Sequence, residues 1–176
     1  EIQSKWQTMY DGIQRANSYL RVIPTMDVLT EEQKNEYMAE ARFLRGMFYF
    51  TLLDLYGGVP YYDETTNLNV EYVGLKKPRS SAEEIRAHII SDLNEAVAYL
   101  PVRHNDSDYG RATKGAAYAL RGKVYLYNKE WQNAIADFEE IVNNKSNNYG
   151  YGLDADYAHI FKLYNGDKSS EMIFSV

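Results

Sequence analysis

The stretch AAYALRGKVYLYNKEWQNAIADFEEI, residues 116–141, decides the fold of this chain. Apolar residues recur in it at helical spacing on both sides of Asn128 and Lys129. Because only these two polar residues separate the periodic segments, we expect two antiparallel neighbouring helices, over about 113–127 and 130–142. Gly122 on the first helix and Ala134 on the second are small enough to let the helices approach closely. The stretch therefore predicts a tightly packed helix pair.

Six positions of this pair follow the tetratricopeptide pattern of small residue, aromatic, aromatic, alanine, phenylalanine and apolar residue. They are Gly122, Tyr125, Trp131, Ala134, Phe138 and Ile141. A degenerate copy lies upstream, with Gly46 and Tyr49 on its first helix and Ile89, Leu93, Ala96 and Pro101 at second-helix spacing. We expect the aromatic residues to fill the seams between paired helices.

Capping signals set the other helix boundaries. Thr30 with Gln33, and Ser81 with Glu84, are capping boxes that predict helix starts. Pro24 ends the first periodic segment, and Gly57-Gly58-Val59-Pro60 ends the second, which is apolar nearly all round from Phe43 to Leu55 and should be the central helix. The sequence thus predicts an all-α, right-handed helical-repeat array of about five main helices.

Long connections and a terminal strand complete this prediction. The main connection spans residues 57–79, a short helix is expected near 157–163, and Met172–Val176 reads as the beginning of a β-strand. We expect a single domain over 1–176, with repeat units at roughly 31–101 and 112–146.

Composition excludes several classes of function. The 176-residue chain has a formal net charge of −6 and lacks a basic stripe, which argues against nucleic-acid binding. The absence of cysteine excludes disulfides, thiolate metal sites and a cysteine nucleophile. Its three histidines, His88, His104 and His159, lack metal-ligand spacing, so we predict neither a metal nor a cofactor. No apolar run is long enough to span a membrane.

Two sequence segments resemble a known family. They are Glu40-Ala41-Arg42-Phe43-Leu44-Arg45-Gly46, followed by Tyr49 and Leu55-Tyr56-Gly57-Gly58-Val59-Pro60, and Gly110-Arg111-Ala112-Thr113-Lys114 leading into Ala116-Ala117. Asp92-Leu93 with Ala96 and Leu100-Pro101, and the closing Glu171-Met172-Ile173-Phe174-Ser175-Val176, add to the likeness. Together these motifs resemble, in collinear order, the amino-terminal to middle helical part of the SusD/RagB nutrient-binding lipoproteins.

This resemblance implies a non-catalytic protein at the surface of the outer membrane of Bacteroidota-type bacteria. Such a protein would hold an oligosaccharide, or another nutrient such as a peptide, and pass it to a TonB-dependent, SusC-like transporter. The helices would serve mainly as scaffold and transporter contact, while loop aromatics hold the ligand. A lipid anchor outside this chain would supply the contact with the membrane. The chain would then be one part of a larger SusD-like protein.

Seventeen tyrosines make the chain rich in side chains that suit sugar contacts. The candidate ligand residues are aromatics in non-helical stretches with nearby acidic or amide residues: Tyr61, Tyr62, Tyr72, Asp106, Asp108, Tyr109, Tyr149 and Tyr151. No phosphate loop or nucleophile elbow is present, and paired acids on helix faces are usually solvated, so we do not expect an enzyme.

Several alternatives remain open at this point. The chain could be a tetratricopeptide adaptor that binds a peptide or protein in its groove, although a long connection and a strand are untypical of one. Arg42 and Arg45 could bind an anion, but pairing with acidic residues such as Glu40 or Asp54 is the simpler interpretation. Thr113 is expected to cap a helix whose first amides could otherwise bind an anion.

Overall fold

The structure is a computed structural model that describes residues 2–66, 76–143, 149–161 and 169–174. In these residues the chain forms helices α1 (Ile2–Val22), α2 (Glu31–Tyr56), α3 (Ala82–Tyr99), α4 (Lys114–Tyr127) and α5 (Trp131–Val142). Short 3₁₀ helices cover Ile23–Thr25, Asp106–Asp108 and Tyr157–Phe161. The predicted all-α helical-repeat class is confirmed.

The helices begin where the capping signals place them. The Thr30 hydroxyl accepts a hydrogen bond from the Gln33 amide, and the Gln33 side chain accepts one from the Thr30 amide. Ser81 and Glu84 form the same reciprocal pair at 2.7 and 3.1 Å before α3. Thr113 caps α4 by accepting from the amide of Ala116. Each cap satisfies amide groups that a helix start would otherwise leave unpaired.

The chain divides into two compact units, Glu1–Tyr99 and Leu100–Val176. The expectation that residues 1–176 form one domain, with repeat units at about 31–101 and 112–146, stays a prediction. No described helix combines the length and the apolar character that crossing a lipid bilayer requires.

In the first unit, helix α2 packs against both α1 and α3. Phe43, Tyr49 and Leu52 of α2 are buried to 2% exposure or less, as are Ile13 of α1 and Ile89 of α3. The prediction that α2 is the central helix is confirmed for this unit. Gly46 faces α3, where an added Cβ would lie at 3.4 Å from Leu93, an ordinary contact distance.

A buried arginine joins the elements of the first unit. Arg45 of α2 is 3% exposed, and its Nε and Nη2 donate to the two carboxylate oxygens of Asp92 on α3, both at 2.7 Å. Its Nη1 donates to the side chains of Asn17 on α1, at 2.7 Å, and of Glu64, at 2.5 Å. Burial lowers the pKa of Arg45, but the hydrogen bonds to Asp92 and the charge of that carboxylate raise it by more. The net pKa is therefore above its ordinary value, and the guanidinium stays charged.

The second unit contains the predicted close pair of α4 and α5. A Cβ added to Gly122 would lie 2.7 Å from the Phe138 ring, and Ala134 is 2% exposed. Arg121 of α4 donates two hydrogen bonds, at 2.9 and 2.6 Å, to the carboxylate of Asp137 on α5. The small residues therefore permit the close approach that the sequence predicts.

Two expectations for the second unit were wrong. Trp131 does not fill the seam: it is 53% exposed and shares a helix face with Ile135 and Val142, which are exposed as well. The strand expected from Met172 is absent from the described residues 169–174, which form turns and bends, because no partner strand is present in those ranges. Ser175 and Val176 lie outside the described residues.

Replacing Gly122 by alanine tests the close approach of α4 and α5. Gly122→Ala should lower the free energy of unfolding by about 1–3 kcal/mol relative to Gly46→Ala, because its Cβ meets the Phe138 ring. Both substitutions gain the same helix propensity, about 1 kcal/mol, so Gly46→Ala should be neutral to stabilising. Urea denaturation measures both. Equal effects of the two substitutions would show that the pair has space at Gly122.

Replacing Asp92 by asparagine tests the buried ion pair. Asp92→Asn should lower the free energy of unfolding by about 3 kcal/mol, because it leaves the Arg45 charge undercompensated away from water. The matched control is Glu95→Gln, which removes the half-exposed partner of Arg42 at 3.2 Å and should cost less than about 1 kcal/mol. Chemical denaturation at neutral pH compares the two variants, and a loss at Asp92 no larger than at Glu95 would contradict the assignment.

Candidate functional site

The second unit contains a cavity of about 370 Å³. Three segments line it: the turn before α4 (residues 102–113), residues 149–151 and residues 169–174. The lining residues are Val102, Arg103, His104, Tyr109, Gly110, Arg111, Thr113, Tyr149, Gly150, Tyr151, Ser169, Ser170, Met172, Ile173 and Phe174. Three predicted ligand residues, Tyr109, Tyr149 and Tyr151, therefore lie around one space.

The first wall is a turn that is closed by its own polar groups. Its Asp106–Asp108 segment is a 3₁₀ helix, and the Asp108 carboxylate pairs with Arg111 at 3.2 Å. The Lys114 amide donates to the Pro101 carbonyl at 2.8 Å, which joins the two ends of the turn. Since this amide and that of Ala116 both bond within the protein, two donors of the first turn of α4 are used internally.

The second wall is a pair of parallel tyrosine rings. Tyr149 is 3% exposed, and its ring lies 6.0 Å from that of Tyr151 with an interplanar angle of 5°. The Tyr151 hydroxyl lies 3.1 Å from the Thr113 hydroxyl, and its ring covers Gly115, where an added Cβ would lie 2.6 Å away. Burial raises the pKa of Tyr151, so its hydroxyl remains a neutral hydrogen-bonding group at neutral pH.

The third wall, residues 169–174, is held in place by Asp154, which lies outside the lining. Its carboxylate accepts a hydrogen bond from the Ser169 hydroxyl at 3.0 Å and lies 2.6 Å from Nδ1 of His159. These bonds, with that to His159 first, lower the pKa of Asp154 to about 2. The backbone amide of Gly152 also donates to the carbonyl of Ser170 at 3.1 Å. Residues 169–170 are thereby fixed at the edge of the cavity.

This Asp154, His159 and Ser169 cluster differs from a hydrolase triad. In a triad the serine hydroxyl donates to the histidine, which can then remove its proton. Here the serine and the histidine both contact the same carboxylate, so Ser169 is oriented toward the acid. The contacts of Asp154 with His159 and Ser169 therefore stabilise the loop that carries Ser169. The cavity itself offers aromatic, hydroxyl and guanidinium groups for non-covalent binding.

The other predicted ligand residues lie elsewhere. Tyr61 is in the first unit, where its ring stacks on that of His88 at 3.7 Å and burial raises its pKa to about 12. The amide and carbonyl of Tyr62 both bond the Tyr49 hydroxyl, at 2.7 and 2.9 Å. Asp106 and Asp108 belong to the turn but do not line the cavity. Tyr72 lies outside the described residues. The assignment of these residues to a ligand site stays a prediction.

Sequence reasoning missed the polar lining groups Arg103, His104, Arg111, Ser169 and Ser170. The available signal was the pair of arginines that flank the polar turn in an otherwise acidic chain. The serines carried no such signal, because their position depends on the bonds to Asp154 and Gly152 across a distance of 15 to 18 residues.

Comparison with known proteins identifies the family. A SusD-like family model, described as "Starch-binding associating with outer membrane", matches residues 1–126. The chain belongs to the SusD-like family. A SusD-like protein, P25, from Formosa agariphila is 28% identical over 99% of this chain and 32% of its own length. The starch-binding protein SusD of Bacteroides thetaiotaomicron is 30% identical over 82% of this chain and 25% of its own.

Solved structures of SusD-like proteins share the fold. A laminarin-binding SusD-like protein superposes with a TM-score of 0.88 at 32% sequence identity, over 97% of this chain and 36% of its own. This SusD-like chain thus spans about one third of the length of the relatives it matches. The resemblance predicted from the Glu40–Gly46, Leu55–Pro60 and Gly110–Lys114 motifs is confirmed.

Proposed function

We propose that this SusD-like chain binds an oligosaccharide without chemical change, in the cavity beside Tyr149 and Tyr151. The observation that carries the proposal is the meeting of Tyr109, Tyr149 and Tyr151 with hydroxyl and guanidinium groups around one open space. Two of the family relatives are named for starch and laminarin binding, which supports a saccharide as the ligand class.

The physical requirements of sugar binding suit this cavity. A pyranose ring has an apolar face that packs on an aromatic ring, and an edge of hydroxyls that both donate and accept hydrogen bonds. Tyr109 is 54% exposed and offers an accessible ring. The Ser169 and Ser170 hydroxyls, whose protons go to Asp154 and to the Gly152 carbonyl, can accept hydrogen bonds, and the arginines of the lining can donate them. A volume of about 370 Å³ lies within the usual range of small-molecule sites.

Transfer to a TonB-dependent, SusC-like transporter is the second part of the proposal, with the protein held at the outer-membrane surface by a lipid anchor. An exposed apolar face of α5 supports a protein partner. Trp131, Ile135 and Val142 are 53, 50 and 76% exposed on that face. Exposed apolar patches of this kind are typical of protein interfaces.

Alanine substitution of the cavity aromatics tests ligand binding. Tyr109→Ala and Tyr151→Ala should each weaken binding of starch- or laminarin-derived oligosaccharides by about tenfold or more, because anchoring aromatics carry much of a binding free energy. Tyr157→Ala is the control, since Tyr157 is 76% exposed and does not line the cavity. Isothermal titration calorimetry measures the affinities. Equal binding by all three variants would place the ligand elsewhere.

Substitution on the exposed face of α5 tests the transporter contact. Trp131→Ala combined with Ile135→Ser should reduce co-purification with an outer-membrane transporter several-fold while leaving oligosaccharide affinity unchanged. Leu153→Ser, at a position that is 91% exposed in the same unit, should leave co-purification unaffected. Recovery of a soluble peptide or protein, with neither transporter nor glycan, would support an adaptor instead.

A further inference from the structure

The charged groups that line the cavity are of one sign. Arg103 and Arg111 line it, and no aspartate or glutamate is among the described lining residues. This is unexpected in a chain whose formal net charge is −6. The cavity is therefore a local concentration of cationic groups on an acidic protein.

The two arginines differ in what neutralises them. Arg111 pairs with the Asp108 carboxylate at 3.2 Å, so its charge is partly compensated. Within residues 2–66, 76–143, 149–161 and 169–174, the structure shows neither a hydrogen bond nor an ion pair for the Arg103 side chain. Arg103 thus has its donors available at the cavity.

The backbone beside Arg103 accommodates this guanidinium. Gly150 has φ of +72°, a conformation that side-chain-bearing residues rarely adopt, and an added Cβ there would collide with Nη2 of Arg103. The positive charge of Arg103 also acts at the Tyr151 phenol, where it opposes the rise in pKa that burial causes. The arginine is consequently placed next to the aromatic wall on which a sugar ring would pack.

We propose that the cavity selects an acidic oligosaccharide, whose carboxylate or sulfate ester pairs with Arg103. This inference rests on the proposed function. The planar guanidinium presents parallel N–H groups whose spacing matches the two oxygens of a carboxylate or sulfate, and such charge-assisted bonds are roughly twice as strong as those to neutral hydroxyls. Uronic acids and sulfated sugars are the two sources of this anionic group.

Matched pairs of ligands test the inference. The first pair is an oligogalacturonide and the same oligosaccharide with its carboxyl groups reduced to alcohols. The second is a sulfated galactan oligosaccharide and its desulfated form. Calorimetry on this protein should show at least one acidic member bound about tenfold more tightly than its neutral partner, because the additional free energy of a hydrogen bond to a charged group corresponds to about a tenfold gain in affinity. The favoured pair identifies the anionic group.

Variants then assign the preference to Arg103. Arg103→Gln should abolish most of the difference between the acidic and neutral members, whereas Arg103→Lys should retain part of it. The control Arg15→Gln removes the same charge from an exposed position on α1 and should retain the full difference. Both positions are exposed, so these three variants should fold normally.

The outcomes separate the two proposals. If neutral starch- or laminarin-derived oligosaccharides bind as tightly as the acidic ones, and Arg103→Gln leaves every affinity unchanged, the proposed preference for acidic sugars is wrong while sugar binding stands. If none of the saccharides binds, the proposed function itself is wrong. If the acidic preference persists in Arg103→Gln and is lost in Arg111→Gln, the anion pairs with the other arginine and the assignment to Arg103 is overturned.

Discussion

The buried guanidinium of Arg45 is the interaction on which the first unit depends. It contacts side chains from α1, from α3 and from the segment that follows α2. Removing a charge from water is costly, and only well-placed opposite charges and hydrogen bonds offset that cost. Because Asp92, Asn17 and Glu64 must all be in position at once, the network favours a single arrangement of three helices. Apolar packing alone would discriminate less sharply between alternative helix registers.

Local signals predicted the helices, whereas the partners of the buried charges could not be predicted. Thr30, Ser81 and Thr113 act within three residues of themselves, so the sequence alone indicates their role. Arg45 was expected to pair with an acid such as Glu40 or Asp54, yet Asp92 lies 47 residues away. One clue was available: Asp92 occurs among Ile85, Ile89, Leu93 and Ala96, on the face of α3 that is buried, where a charge requires a partner.

In the candidate site, too, local sequence indicates residue types, whereas their grouping depends on contacts between residues far apart in the chain. The aromatic content of non-helical stretches brought Tyr109, Tyr149 and Tyr151 into consideration, and all three line one cavity. Their grouping depends on turns that return the chain to the start of α4, which no periodic pattern encodes. Trp131 was wrongly expected to fill the seam between α4 and α5. A repeat pattern specifies a residue type but not the direction in which its side chain points. Its exposure leaves an apolar face that a scaffold alone would not need.

Besides the side-chain contacts of Glu64 and Tyr61, the segment after α2 is held to its helices through its backbone. The hydroxyls of Tyr10 and Tyr49 and the side chains of Asn17 and Arg21 bond the main-chain carbonyls of residues 60, 62, 64 and 66. Main-chain groups are the same whatever the residue type, proline's missing amide apart. Side chains of this segment other than Glu64 and Tyr61 can therefore be exchanged while its path is preserved. The helices thus fix the path of a segment most of whose side chains are open to substitution.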